Sequence, residues 1–165
     1  MIYFNTHTTP LGSVILASDG TALTGLWFEG QKHFPSTITN RFEKTQLEIF
    51  DTTKHWLNEY FAGEKPSNKP PVSFNSTPFR TTVWNTLLKI PYGQTVSYGS
   101  IAETISQKSG AASARAVGNA VGHNPISIIV PCHRVIGSNG ALTGYAGGID
   151  KKIALLKLEK IDIYV

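Results

Sequence analysis

The chain has little sulfur: one cysteine and one methionine in 165 residues. A single thiol cannot close an intramolecular disulfide, and it cannot build a cysteine-rich zinc site. It also fits a reducing compartment. No apolar run approaches the length of a membrane span. The opening residues Met1-Ile2-Tyr3-Phe4-Asn5 lack the basic segment and apolar stretch of a signal peptide. Cytoplasmic residence and no membrane partner are therefore expected. There is no low-complexity tract and no internal repeat. The glycines of the last third carry no Gly-Lys-Ser/Thr ending, which excludes a phosphate loop.

Charge is present but uneven. Residues 1–75 carry six Lys/Arg against seven Asp/Glu, whereas residues 76–165 carry nine against four, so the net +4 belongs to the second half. A basic half suits a polyanion such as DNA, and it equally suits a solvated surface. At 41% hydrophobic residues the chain is that of a folded protein.

The first third reads as β-structure. Ile2-Tyr3-Phe4 and Val14-Ile15-Leu16 flank the turn Thr9-Pro10-Leu11-Gly12, and Asp19-Gly20 signals a hairpin into Thr21–Phe28. From Gln46 to Phe61 apolar residues recur at helical spacing, with Gly63 at the expected stop. Three prolines between Lys65 and Pro71 read as a semi-rigid linker, which places a domain boundary near residue 75. The expected domains are 1–75 and 76–165.

The second half reads as helices with short breaks. Pro78 opens a helix with an inner face of Phe79, Val83, Trp84, Leu87 and Leu88. Ser97 caps a helix from Tyr98 to about Ser106, and an alanine-rich helix runs from Ala112 to Val121. Together these resemble a helix-turn-helix. The small residues Ala116, Gly118 and Ala120 fit close helix packing or close approach to a sugar-phosphate backbone. Ile126–Val130 reads as a buried strand ending at Cys132. Gly137–Gly148 reads as a mobile wall beside it, and Asp150 as the cap of a last helix, Lys151 to about Glu159.

Alone, Cys132 is more readily a small buried hydrophobe than a nucleophile, although the adjacent His133 is a common base for making a thiolate. The ordered motifs around it are more specific. Thr77-Pro78-Phe79, Ile90-Pro91-Tyr92-Gly93, Ser97-Tyr98, Ala114-Arg115-Ala116-Val117-Gly118, Asn124-Pro125, Pro131-Cys132-His133-Arg134-Val135, Gly144-Tyr145-Ala146-Gly147-Gly148 and Glu159 follow one another. This pattern closely resembles the O6-alkylguanine-DNA alkyltransferases.

The resemblance implies a mixed α/β chain of the α+β kind. A small sheet-plus-helix domain, ribonuclease H-like, precedes a helical domain with a winged helix-turn-helix-like DNA-binding motif. It implies direct transfer of an alkyl group from O6 of guanine, or O4 of thymine, to Cys132, with no cofactor and one turnover per molecule. His133 would take the thiol proton through a water, Glu159 would orient that imidazole, and Asn124 would hold the nucleophile segment. Tyr98 would protonate the leaving guanine and help rotate the nucleotide. Arg115 would fill the stack vacated by the flipped base, with Ala116, Gly118 and Ala120 close to the minor groove. Val135, Tyr145 and Ala146 would line the base pocket. The implied partner is duplex DNA containing O6-alkylguanine, bound by a monomer, with cooperativity left open.

Ala146 and Ser127 depart from residues some relatives carry in that pocket wall. The first domain has no cysteine, and His7, His33 and His55 lack ligand spacing, so no zinc is expected there. Two other classes compete with this one. A non-catalytic lesion binder is disfavoured by the cysteine itself. A cysteine hydrolase is disfavoured because adjacent residues seldom form a nucleophile–base pair.

Overall fold

The computed structural model describes residues 2–35 and 43–163; Met1, named above, and Arg41, one of the six basic residues counted in the first half, lie outside them. The chain divides into two compact units. One comprises residues 1–75 with Pro125–Ser127, the other residues 76–124 and 128–165.

In the first unit, strands β1 (Tyr3–Thr9), β2 (Gly12–Ser18) and β3 (Leu23–Phe28) form an antiparallel sheet in the order β1-β2-β3. The β1–β2 register runs from Tyr3↔Ser18 to Thr9↔Gly12, so Pro10 and Leu11 alone make the turn. The second hairpin is wider than a two-residue Asp-Gly turn. Asp19 accepts from the amides of Thr21 and Ala22, and the pairing shifts between Ala17 and Ser18. Helix α1 (Glu48–Phe61) packs on the sheet through Ile49, Phe50, Trp56, Leu57 and Tyr60. Gly25 has a steric reason: a Cβ there would lie 1.9 Å from the Trp27 ring.

The proline-rich linker does not simply end the unit. Leu23 donates to the Pro71 carbonyl and accepts from Ser73, so the chain after the prolines adds an edge to β3. Pro125–Ser127 pairs with the same strand at Leu26. Ser127 Oγ lies 3.4 Å from Gln31 Oε1. Ser127 is thus a residue of this sheet unit, not of a base pocket, which corrects the expectation for it.

In the second unit, α2 (Pro78–Leu87) starts at the Thr77 cap and buries Val83, Trp84 and Leu87. Helix α3 (Tyr98–Ser109) is capped by Ser97, whose hydroxyl accepts from the Ser100 amide, and runs three residues past the expected end, to Ser109, before Gly110. Helix α4 (Ala114–Gly122) starts two residues later than expected because Ser113, not an alanine, supplies the cap. Helices α2, α3 and α4 pack mutually, and Trp84 Nε1 donates to the Ala120 carbonyl at 2.8 Å.

Two elements differ from the sequence reading. Residues 126–130 are buried throughout, but they are not a strand. Ile128 has φ +71°, a conformation a β-branched residue seldom adopts and one that breaks an extended run. The last helix, α5 (Ile149–Leu158), is preceded by Gly148 rather than capped by Asp150, which lies inside its first turn.

Candidate active site

The geometry begins with a two-residue sheet in the second unit. Strand β4 (Val96–Ser97) pairs in parallel with β5 (Val135–Ile136), Val96 opposite Val135. Tyr98 follows β4 directly as the first residue of α3. Cys132-His133-Arg134 precede β5 as one 3₁₀ turn. The pairing therefore brings the tyrosine and the cysteine to one place from residues 34 apart in sequence.

Cys132, 6% exposed, lies at the floor of a narrow cleft of about 40 Å³. Tyr98, Gly118, Val121, Gly144, Tyr145 and Ala146 are among its walls. Behind the cysteine, Asn124 Nδ2 donates to the Val130 carbonyl at 2.8 Å and the Cys132 amide to the same carbonyl. Burial pushes the Cys132 thiol up. A hydrogen bond from Asn124, the Lys152 ammonium and a hydrogen bond from Tyr145 pull the other way.

His133 and Glu159 are fully or nearly fully buried, and Nε2 lies 2.6 Å from Oε2. Glu159 also accepts at Oε1 from Arg134 Nε (2.8 Å) and from the Gly93 amide (3.0 Å). Burial pushes the Glu159 carboxyl up, but the bonds from His133, Arg134 and Gly93 outweigh it and hold it at about 2. Burial lowers His133 against the attraction of Glu159. A neutral ring donating from Nε2 to an ionised carboxylate has Nδ1 as its basic nitrogen.

Three of these partners escaped the sequence reading. Arg134 is 5% exposed, donates from Nη1 to the Ile90 carbonyl at 2.8 Å and lies 5.8 Å from the centre of the Tyr92 ring. Gly93 adds a backbone donor to the carboxylate. Lys152, with no exposed surface, donates from Nζ to the carbonyls of Val135 (2.7 Å) and Thr143 (3.3 Å). Burial lowers Lys152 to about 8, opposed by the nearby Cys132.

Other expected site residues fall differently. Tyr145 and Ala146 do line the cleft. Val135 does not: its side chain is buried in the core, and its carbonyl is engaged by Lys152. Ala120 is 1% exposed and shares the inner face of α4 with Val117 and Val121, so helical periodicity removes it from any backbone contact. Gly118 faces the Tyr98 ring, which a Cβ would approach to 3.7 Å. Arg115 and Ala116 are exposed on the opposite face of α4.

Among the described residues, no three His, Cys, Asp or Glu side chains cluster so as to hold a metal ion, and no helix is long and apolar enough to cross a membrane.

Two family models match the chain. The ribonuclease-like domain of 6-O-methylguanine DNA methyltransferase matches residues 2–74, and the DNA binding domain matches residues 78–161. The methylated-DNA–protein-cysteine methyltransferase of Mycobacterium tuberculosis is 47% identical over 160 residues, 97% of this chain and 93% of the relative. That of Methanosarcina acetivorans is 43% identical over 159 residues, 96% and 98% of the two chains. The crystal structure of Mycobacterium tuberculosis OGT in complex with DNA superposes with a TM-score of 0.84 at 45% identity, covering 96% of this chain and 92% of that one.

Proposed function

Because this chain belongs to the 6-O-methylguanine DNA methyltransferase family, with both domains matched in order, we propose that Cys132 is its alkyl acceptor. The protein is a DNA-binding methyltransferase of DNA repair that moves an alkyl group from methylated DNA to a protein cysteine. The observation that carries the assignment is the 2.6 Å contact between His133 and Glu159, with His133 in the same turn as the chain's one thiol.

The resting thiol is protonated, since burial raises it. His133 takes that proton at Nδ1 through a water, and Glu159 stabilises the imidazolium formed. The thiolate sulfur then attacks the O6-methyl carbon in line. The S–C bond forms as the C–O6 bond breaks, and the electron pair passes into the purine. Tyr98 gives its phenolic proton to a ring nitrogen of the departing guanine and is reprotonated from solvent. Methylated Cys132 and guanine are the products. Among the described residues, none of those lining the cleft beside the sulfur can remove a methyl from a thioether, so each molecule acts once.

The reacting base must leave the duplex to reach the cleft, at a cost of a few kcal/mol. Arg115, exposed on α4, fills the vacated stack, and phosphate contacts from the basic half supply most of the affinity. The protein binds as a monomer and acts in the cytoplasm, where a lone reduced thiol persists.

Mass spectrometry after incubation with a duplex containing O6-methylguanine tests this. One methyl on Cys132, with repair halting at one equivalent, is the expected result. Repair of many equivalents per molecule, or a methyl elsewhere, overturns it.

A further inference from the structure

Tyr98 is the proton donor of the proposed reaction, and its hydroxyl is already engaged. Thr143 Oγ1 donates to the Tyr98 oxygen at 2.8 Å. A phenol that accepts this bond keeps its own proton to give. Thr143 is exposed and stands immediately before the wall residues Gly144–Ala146, outside every motif the sequence singled out. Its backbone is fixed from within the core, because its carbonyl accepts from the fully buried Lys152 ammonium, which also holds the Val135 carbonyl. Across the cleft, α4 faces the Tyr98 ring at Gly118, where an added Cβ would come to 3.7 Å from it. The ring is therefore bounded on one side by α4, and its hydroxyl is held on the other by Thr143.

We infer that Thr143 is a positioning residue that aims the Tyr98 hydroxyl into the cleft and stabilises its oxygen as the proton leaves. The inference rests on the alkyl-transfer reading. Its chemical sense is simple: transfer of the Tyr98 proton to the departing purine leaves negative charge on the phenolic oxygen, and a donor already in place needs no reorganisation to meet it. The acidity of Tyr98 agrees, since burial raises its pKa and the Thr143 bond works against that rise.

The test is a double-mutant cycle on the full chain. Single-turnover methyl transfer from saturating O6-methylguanine duplex is compared for the wild type, Thr143→Val, Thr143→Ser, Tyr98→Phe and the double variant Thr143→Val/Tyr98→Phe. Duplex affinity and the alkylation rate of Cys132 by iodoacetamide are measured beside it. Thr143→Val is expected to slow transfer about five-fold, the worth of one neutral hydrogen bond. Affinity and thiol reactivity stay unchanged, and Thr143→Ser restores the rate. In the Tyr98→Phe background the same change has no further effect. An unchanged rate in Thr143→Val, or an equal loss with and without the tyrosine hydroxyl, overturns the inference while leaving the reaction itself standing. A wild type that transfers nothing overturns the reaction.

Discussion

Arg134 Nε donates to Glu159 Oε1 at 2.8 Å, and this bond decides which carboxylate oxygen faces His133. Two consecutive residues thus share one carboxylate, each on its own oxygen. The pair is buried, so its Coulomb attraction is set against a large desolvation cost. Removing one partner is worse than replacing both.

Arg134→Met is expected to destabilise the protein by about 3–5 kcal/mol, because it leaves the Glu159 charge and the Ile90 carbonyl without the guanidinium. The double variant Arg134→Met/Glu159→Gln should be less unstable than the sum of the single changes, by about 0.5–3 kcal/mol. Urea unfolding of the four proteins measures this, and strict additivity contradicts the shared-carboxylate arrangement.

Glu159 also sets an acid limit. Its folded pKa of about 2 lies below the ordinary 4.5, so the unfolded chain takes up this proton first. The stabilisation is complete above about pH 4.5 and disappears as pH falls toward 2, a loss of up to about 3 kcal/mol. His133, lowered by burial, acts in the same direction below its ordinary 6.5. Unfolding midpoints followed from pH 7 to pH 3 should fall steeply in the wild type. In Glu159→Gln they should start lower and fall less. Parallel slopes for the two proteins rule the carboxylate out as the source.

Much of this site was legible in the sequence, because its ordered motifs run through the residues that meet. Cys132, His133, Glu159, Asn124 and Tyr98 come from four separate segments, yet each sits in a recognisable string. What could not be read is what depends on carbonyls. Lys152 occupies a helix position where lysine ordinarily faces water, and only the buried carbonyls of Val135 and Thr143 explain it. Thr143 and Gly93 act through one hydroxyl and one amide, which no spacing rule marks. The apolar run at 126–130 suggested a strand, but Ile128 takes a positive φ, which the β propensity of an isoleucine does not announce. Ala120 falls at helical spacing from Val117 and Val121, so the apolar face of α4 claims it; small size alone does not mark the exposed side of a helix.

Lys152→Met keeps the stem and removes the ammonium whose charge bears on the Cys132 thiol. A positive charge favours the thiolate, and the other groups bearing on the sulfur, Asn124 and Tyr145, are neutral hydrogen-bond partners. The thiol pKa should therefore rise further, and the pH profile of iodoacetamide alkylation should move to higher pH. A shift to lower pH, or none, would show that the lysine serves only as a peg for the two carbonyls.

Arg115 separates base eversion from chemistry. It is the second residue of α4, exposed, on the face opposite Val117; Gly118 and Gly122, one and two turns further along its own side of the helix, line the cleft. A side chain that fills a vacated stack matters only when there is a stack to fill. Arg115→Ala should slow single-turnover repair of methylated duplex by about 10-fold or more, given the few kcal/mol that eversion costs. Its reaction with the free alkylated base should change by less than about two-fold, since that substrate needs no eversion. The salt dependence of duplex binding gives a second readout: if Arg115 also meets a phosphate, the slope of log K against log salt falls by about one. Equal losses on duplex and free base would place Arg115 in the chemistry of the pocket. Its exposure, in contrast to the buried Cys132, argues against that.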